Sequence, residues 1–371
     1  MRFISLIVII CLAMTITAQE DTPNSTYRGD EARTGVYDAT PIRETPTVLW
    51  EVESSRPSRT TPVVADELAY FGNEAGTYTA VDTATGQIVW QIDFEESVVS
   101  TGAIQDDLLV LGSLDNTIYG LDASTGDEIW QFATEGQVYS SPVFGDDALY
   151  IGSRDDNLYA LNPADGSLIW QFDSGGQIWS SPAYVDGRVF FGNRRGDIFA
   201  LDAETGDELW RLSTGNTSPV DASPSIRDGV VYIGVGDGRF FALDAETGIE
   251  IWSTDLDDGR IYASASVTED TVFVFGLNGT LHALDIVDGS ILWTMSLGEP
   301  AYSSPTVVDD VVYALSEEDG LMFGIDATTG DTLWQFQTGE QGDWRSGHPV
   351  VVDDVLYITS NTRGLLALSQ P

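Results

Sequence analysis

Residues able to carry out acid–base or nucleophilic chemistry are few in this 371-residue chain, which contains two histidines and one cysteine. A catalytic nucleophile needs a neighbouring base, and His282 and His348 are the imidazoles that could act as one. His282 lies in an apolar, strand-like segment, which predicts a packed side chain. His348 lies in the irregular segment 344–349 and could belong either to a variant loop or to a binding site. Binding is therefore a better expectation than catalysis.

Two short segments look like ligand-binding loops. Residues 234–238 carry Gly at alternate positions, but the segment lies between two predicted strands with no helix after it, unlike a phosphate-binding loop. Residues 255–259 carry three Asp and one Gly but lack the spacing and the distal Glu of a calcium loop. We interpret both as solvated turns. The sequence predicts no catalytic, cofactor-binding or metal-binding residue.

The charge of the chain excludes two classes of partner. There are 59 acidic residues against 16 basic ones, the formal net charge is −43, and every basic residue is Arg. Such a surface repels polyanions, so we expect no binding to nucleic acid. Docking onto anionic lipid through basic patches is excluded for the same reason.

An internal repeat supplies the elements that must position these side chains. One unit contains four short apolar segments, 138–144, 148–152, 157–161 and 168–173, separated by Gly and Asp turns. Four short strands with tight turns account for a period near 40 and predict a four-stranded antiparallel blade, so the array is an all-β propeller. The period is marked by tryptophans spaced 40 to 42 residues apart: Trp50, Trp90, Trp130, Trp170, Trp210, Trp252, Trp293 and Trp334.

The starts of the innermost strands count the blades. Eight such starts occur, from Thr61 before Pro62 to His348 before Pro349. The eighth unit ends without a Trp strand, whereas residues 47–51 form a Trp strand that precedes any blade. We therefore expect the N-terminal strand to complete the last blade and close the ring, which leaves no open sheet edge. Residues 46–371 then form a single eight-bladed propeller, and residues 19–45 form an N-terminal leader.

Arginine and aromatic residues cluster on one face of this expected ring. Connections from each outer strand to the next inner strand share that face with connections from the second to the third strand, and half of the arginines belong to or flank them. Guanidinium and aromatic groups suit peptide segments, carboxylates or sugars. The alternative is that Arg only neutralises neighbouring carboxylates such as Asp155, Asp156 and Asp197. The predicted partner-binding residues are Arg59, Tyr139, Arg154, Trp179, Arg194, Arg195, Tyr262, Tyr302, Trp344, Arg345 and His348.

Residues 1–18 have the pattern of a cleaved secretory signal peptide. Arg2 precedes an apolar run at 3–14, and small residues follow it. The run is shorter than the ~20 residues needed to span a bilayer, although a retained anchor stays the alternative. Cleavage removes Cys11 and with it any disulfide, thiol nucleophile or thiolate metal site. We expect an exported protein, periplasmic or extracellular and associated with the cell envelope, with no membrane insertion after cleavage.

A recurring eleven-residue pattern joins the third and outer strands of the blades. In one unit it comprises Ala160, Asn162, Asp165, Gly166 and Trp170, and seven copies occur. The pattern resembles the tryptophan-docking motif of the pyrroloquinoline-quinone-like (PQQ-like) β-propeller repeat family. In that motif the Gly takes a left-handed turn conformation and the Trp ring packs between neighbouring blades. The resemblance covers essentially all of the mature chain and implies that the eight tryptophans are structural. Residues 27–35 also resemble the leader that precedes such propellers.

The resemblance implies two different functions. The family includes quinoprotein dehydrogenases, and also assembly scaffolds similar to the lipoprotein of the outer-membrane barrel-assembly machinery. The dehydrogenases carry inserted active-site segments, a vicinal disulfide on the quinone and calcium ligands, whereas this chain has no mature Cys and blades of nearly uniform length. We expect a non-catalytic, monomeric binding or assembly scaffold without a cofactor, for a protein, peptide or carbohydrate partner. The alternative is a PQQ- and calcium-dependent oxidoreductase with a reduced site.

Overall fold

The computed structural model describes residues 25–215, 217–257, 259–298, 300–340 and 347–371. These residues form 32 strands and no helix, and the strands make eight four-stranded antiparallel sheets. The prediction of an all-β, eight-bladed propeller is confirmed. The segment interpreted as a signal peptide, residues 1–18, lies outside the described residues.

Each blade contributes an inner, a second, a third and an outer strand, and the chain enters the ring through β1 (Thr47–Val52). The strands of blades one to four are β2 (Val63–Ala65), β3 (Leu68–Gly72), β4 (Thr77–Asp82), β5 (Ile88–Asp93), β6 (Ala103–Gln105), β7 (Leu108–Gly112), β8 (Thr117–Asp122), β9 (Glu128–Ala133), β10 (Val143–Phe144), β11 (Leu149–Gly152), β12 (Asn157–Leu161), β13 (Leu168–Asp173), β14 (Ala183–Val185), β15 (Arg188–Gly192), β16 (Asp197–Asp202) and β17 (Glu208–Ser213).

The strands of blades five to eight are β18 (Ser225–Arg227), β19 (Val230–Gly234), β20 (Arg239–Asp244), β21 (Glu250–Asp255), β22 (Ser266–Val267), β23 (Thr271–Phe275), β24 (Thr280–Asp285), β25 (Ile291–Ser296), β26 (Thr306–Val308), β27 (Val311–Ser316), β28 (Leu321–Asp326), β29 (Thr332–Gln337), β30 (Val350–Val352), β31 (Val355–Ser360) and β32 (Gly364–Ser369). β1 completes blade eight by pairing with β32, Val48 opposite Leu368 and Val52 opposite Leu365. This pairing is consistent with the expected closure of the ring, because β1 covers the edge that β32 would otherwise expose.

The apolar pattern of the sequence decides which strands are covered on both faces. The second and third strands, such as β15 and β16, are buried almost throughout, because neighbouring blades cover both of their faces. Outer strands alternate: in β17, Leu209 is exposed and Trp210 is buried. Asp residues with φ of 48° to 55° form the tight turns from several inner to second strands, a backbone conformation that Asp tolerates: Asp66, Asp106, Asp186, Asp228, Asp309 and Asp353.

The tryptophans of the outer strands join each blade to the next. Trp170 packs on Gly206 of the following blade, where φ is +75° and an added Cβ would lie 2.7 Å from the indole ring. Its Nε1 donates a hydrogen bond of 3.0 Å to the carbonyl oxygen of Ala203. The corresponding bond of Trp334 goes to Ile42 of the leader, which takes the place of a turn that blade eight lacks. A Gly is required at the turn because any side chain would displace the ring.

The inner strand of blade three is much shorter than its predicted bounds. Residues 138–144 were expected to form the inner strand of blade three, but the ladder is limited to Val143–Phe144. Pro142 has no N–H to donate to a ladder. The N–H of Ser141 instead donates to Ser181 Oγ of the next blade at 2.8 Å, so this part of the chain bonds around the channel rather than within its own sheet.

The leader crosses the end of the channel at which the inner strands finish. Backbone bonds join it to inner strands of several blades, for example from Ile104 N to Ser25 O, from Ile226 N to Ala32 O and from Val307 N to Gly35 O. The leader is therefore an integral part of the propeller. The opposite end, where the inner strands begin, is called the mouth below.

Candidate functional site

A closed ring of hydrogen bonds forms the floor of the mouth. In every blade a backbone N–H at the entry of the inner strand donates to a side chain of the next blade, over 2.7 to 3.1 Å. This floor ring fixes the relative position of all eight blades at the channel axis. Its acceptors are Thr61, Thr101, Ser141, Ser181, Ser223, Ser264, Ser304 and His348.

His348 is the one imidazole in the floor ring. Its Nδ1 accepts the N–H of Ser304 at 2.7 Å, so the proton of the neutral ring is assigned to Nε2, 3.0 Å from Tyr27 Oη. Burial, with a smaller contribution from the Arg28 charge, lowers the pKa of His348 to about 3. The imidazole is therefore neutral at physiological pH and links the leader to the ring.

Two buried arginines of the leader bind the channel from below the floor ring. Arg28 donates to the carbonyl oxygens of Pro305 and Ala265, at 2.6 and 2.5 Å. Arg33 donates to those of Pro182 and Pro142, at 3.0 and 2.7 Å. Burial lowers the pKa of both guanidinium groups, that of Arg33 to about 10, so Arg33 remains charged at neutral pH.

Above the floor ring lies a cup. Its wall is formed by the residues two positions before each floor residue, and together with the floor it encloses a cavity of about 150 Å³. The wall position of blade eight, 346, lies outside the described residues. In blade order the wall residues are Arg59, Val99, Tyr139, Trp179, Asp221, Tyr262 and Tyr302.

An aromatic stack makes one side of the cup. The rings of Tyr139 and Trp179 are parallel, with centroids 4.8 Å apart. The guanidinium of Arg194 lies 4.0 Å from the centroid of the Trp179 ring, and that of Arg154 lies within 5.4 Å of both rings. Arg154 also bonds to the Gln137 amide oxygen at 2.5 Å. Cation–π contacts of this kind hold the guanidinium groups at the mouth.

Asp221 is a buried carboxylate beside this stack. Its side chain is 6% exposed, and Arg194 Nε lies 3.2 Å from Oδ1. Burial raises the pKa of Asp221 to about 6, against the lowering effect of Arg194 and Arg260. Arg260 donates to Tyr262 Oη at 2.8 Å on the neighbouring part of the wall. The mouth therefore contains a carboxylate whose burial is destabilising and whose charge is only partly compensated.

The structure brings most of the predicted partner-binding residues together. Cavity-lining positions are taken by Arg59, Tyr139, Trp179, Tyr262 and His348. Arg154 and Arg194 flank the cavity, and Tyr302 lies beside Tyr262, with centroids 5.7 Å apart. Arg195 does not line the cavity. Its side chain is exposed and donates a hydrogen bond of 3.0 Å to the carbonyl oxygen of Gly175. Trp344 and Arg345 lie outside the described residues.

Sequence reasoning missed four residues of the site: Tyr27, Arg28, Arg33 and Asp221. Asp221 occupies the same position before the Ser-Pro pair as Tyr139 and Trp179, so aligning the repeats could have placed it in the wall. Tyr27, Arg28 and Arg33 fall in the segment 27–35 that resembles a family leader, but the sequence does not identify their channel partners, which are more than 100 positions away. Arg194 lies beside the Asp221 carboxylate, and Arg195 lowers the pKa of Asp156, which burial raises, so two of these arginines compensate carboxylates.

The opposite end of the channel is acidic. A cavity of about 890 Å³ opens there between the leader and the inner-strand turns of blades one to four. Its carboxylates belong to Asp30, Glu31, Asp66, Asp106, Asp107, Asp146 and Asp186. Over the described ranges no group of three His, Cys, Asp or Glu side chains has metal-binding geometry. In the same part of the chain no helix is long and apolar enough to cross a membrane.

Solved structures with the same architecture have diverse functions. BamB from Moraxella catarrhalis is 19% identical, with a TM-score of 0.75 over 88% of this chain and 98% of that one. Quinohemoprotein alcohol dehydrogenase from Comamonas testosteroni is 16% identical, with a TM-score of 0.81 over 94% and 80% of the two chains. The computationally designed Ika8 protein is 18% identical, with a TM-score of 0.74 over 87% and 99%. These likenesses show the fold alone.

A comparison with curated proteins finds no match. The family model described as outer membrane protein assembly factor BamB matches residues 36–172, 135–266 and 242–370. The matches overlap and together extend over nearly all of the propeller, which confirms the resemblance to PQQ-like repeats. The chain therefore belongs to the family of the outer membrane protein assembly factor BamB.

Proposed function

We propose that this protein is a non-catalytic, exported scaffold of the cell envelope that holds a segment of a partner protein at its mouth. The observation that carries the proposal is the collection of guanidinium groups around the cup of a chain whose net charge is −43. Membership in the BamB family supports an assembly role. Export rests on the signal-like residues 1–18, and a monomer remains the expected state.

The mouth suits an extended segment with carboxylate groups. Arg154 and Arg194 lie against aromatic rings, and Arg59 is paired with Glu74. Guanidinium groups bind carboxylates through two parallel hydrogen bonds, and the aromatic rings add contact area. The acidic turns at the opposite end repel the same segment, so the charge distribution orients it towards the mouth.

The test changes arginines of the mouth that do not stabilise Asp221. Changing Arg154→Ser together with Arg195→Ser should weaken capture of the native envelope partner by about 2 kcal/mol, roughly thirtyfold. The matched control is Arg43→Ser together with Arg227→Ser, which removes the same charge from the opposite end. Equal weakening by both pairs would contradict the proposal. Capture of a glycan instead of a protein would also contradict it.

The quinoprotein alternative fits the cup poorly. Calcium takes six to eight oxygen ligands, and Asp221 is the one carboxylate among the cup-lining residues that the structure describes. The floor ring and Tyr27 close the channel below a cavity of about 150 Å³, which leaves little room for a tricyclic quinone. Incubating the protein with PQQ and calcium, then assaying dye reduction with alcohols and aldoses, tests this alternative. Turnover would favour it over the scaffold.

A further inference from the structure

Three residues of the cup carry buried polar atoms that have no hydrogen-bond partner among the described residues. They are Arg59 Nε, Trp179 Nε1 and both carboxylate oxygens of Asp221. A buried polar group without a partner costs about 1–3 kcal/mol, and a charged one costs more. All three side chains line the same cavity. A ligand that donates hydrogen bonds to Asp221 and accepts them from Arg59 and Trp179 would recover this free energy.

The two charged members face each other across the channel. Arg59 belongs to the wall of blade one and Asp221 to that of blade five, which are four blades apart in a ring of eight. Aromatic residues occupy both arcs between them, Tyr139 and Trp179 on one side and Tyr262 on the other. The cup therefore has a guanidinium group and a carboxylate on opposite walls, each beside a group of opposite charge, with aromatic rings between them.

We propose that the cup binds a small zwitterion, an amino acid or a dipeptide with free termini. Its ammonium group bonds to Asp221, and its carboxylate bonds to Arg59 and Trp179. The inference rests on the proposed function in placing recognition at the mouth, and it names the chemical class that the cup itself takes.

The charges near the cup disfavour a ligand that carries one sign alone. Arg194 lies 3.2 Å from Asp221 and Arg260 lies nearby, so a simple cation would be opposed by both guanidinium groups. A simple anion would meet the Asp221 carboxylate. A zwitterion places each end beside the opposite charge, and such pairs gain most where water is excluded.

Asp221 retains the capacity to accept a ligand. The contact with Arg194 lacks hydrogen-bond geometry, so both carboxylate oxygens keep their lone pairs for donors from a ligand. Arg59 Nη2 forms an ion pair with Glu74, whereas its Nε is buried with no hydrogen-bond partner among the described residues. A cavity of about 150 Å³ has the volume of about five waters, which suits one amino acid or a dipeptide.

The experiment titrates the full chain calorimetrically with the dipeptide Gly-Leu, its N-acetylated form and its C-terminal amide. We expect the unblocked dipeptide to bind with a Kd below about 1 mM, and either blocked form to bind at least about tenfold more weakly. Asp221→Asn should weaken binding of Gly-Leu by a similar factor, whereas Asp309→Asn at the opposite end should leave it unchanged. If Asp221→Asn fails to fold, Arg59→Gln replaces it with the same expected loss.

Equal affinity for blocked and unblocked dipeptides would overturn the inference. So would the absence of binding by Gly-Leu and by free amino acids at concentrations of about 10 mM. No macromolecular partner enters this titration, so its outcome is separate from that of the capture experiment. If Gly-Leu binds but the Arg154 and Arg195 variant captures the partner normally, the proposed function alone is rejected. If Gly-Leu does not bind but the variant loses capture, this inference alone is rejected.

Discussion

At the scale of single residues, adjacent arginines have different roles. Arg194 covers the Trp179 ring and lies 3.2 Å from the buried Asp221 carboxylate. Arg195, the next residue, is exposed and makes one hydrogen bond to a backbone carbonyl. Both look alike in the sequence, but Arg194 compensates the buried Asp221, whereas Arg195 acts on Asp156, which is less buried.

Arg194→Ser is therefore expected to lower the free energy of unfolding by about 2 kcal/mol, because it removes the cation in contact with the buried Asp221 and leaves only the smaller effect of Arg260. Arg195→Ser, the matched control, should change it by less than about 0.5 kcal/mol. Urea unfolding of the two variants measures the difference. Equal stability of both would show that Arg194 does not stabilise the carboxylate.

Asp221 makes stability depend on pH. Its pKa rises from 3.8 to about 6 on folding because of burial, so the folded state holds the proton more tightly than the unfolded state. The contribution of Asp221 protonation to the free energy of unfolding is complete below about pH 4 and is lost as the pH rises through 6. Asp221→Asn should therefore gain stability relative to wild type between pH 4 and 7, by up to about 3 kcal/mol. Urea unfolding across this range measures the gain, with Asp309→Asn as an exposed control. If the free energies of unfolding of wild type and Asp221→Asn changed in parallel with pH, the prediction would be wrong.

At the scale of elements, the leader behaves as part of the propeller core. It bonds to inner strands of several blades, its two arginines bind channel carbonyls, and Ile42 accepts the Trp334 indole N–H. Removal of a guanidinium would leave several carbonyl oxygens buried without a donor, at a cost of about 1–3 kcal/mol each.

Arg33→Ala is expected to destabilise the protein by at least about 3 kcal/mol, because Arg33 donates to carbonyl oxygens of blades three and four and to Tyr27. Arg43→Ala offers a control within the same leader, since its ion pairs with Asp309 and Asp310 are exposed and contribute little. Thermal unfolding followed by circular dichroism compares the two. A similar melting temperature for both variants would mean that the leader does not support the channel.

At the scale of the whole molecule, repulsion among the negative charges opposes folding, and the fold determines where the charged groups lie. The 59 acidic and 16 basic residues leave a net charge of −43, and carboxylates crowd the turns at the end opposite the mouth. Like charges held on one compact surface repel one another more than in an extended chain. Several guanidinium groups, among them those of Arg59, Arg154 and Arg194, lie where the inner strands begin.

Salt should therefore stabilise this protein. Raising the NaCl concentration from about 10 mM to about 150 mM shortens the screening length from about 30 Å to about 8 Å, which weakens repulsion between neighbouring blades. We expect the melting temperature to rise by more than about 2 °C. Differential scanning calorimetry at constant pH measures it, with an equal osmolality of glycerol as the control. A constant or falling melting temperature in NaCl would show that attractive ion pairs outweigh the repulsion.

The sequence by itself determined the repeat, the number of blades and the identity of the strand that closes the ring. These features follow from patterns read along the chain: alternation within strands, turn residues and the Trp spacing. The register of the repeat also predicts one face for Arg59, Tyr139, Trp179 and Tyr262, and these four side chains line the same cavity. Only the tertiary structure decided the environment of Asp221 and the position of the leader. Closure brings Tyr27 and His348, 321 residues apart, within hydrogen-bond distance, and places Arg194 of one blade against Asp221 of the next. Burial and charge compensation depend on such neighbours, which no local pattern specifies.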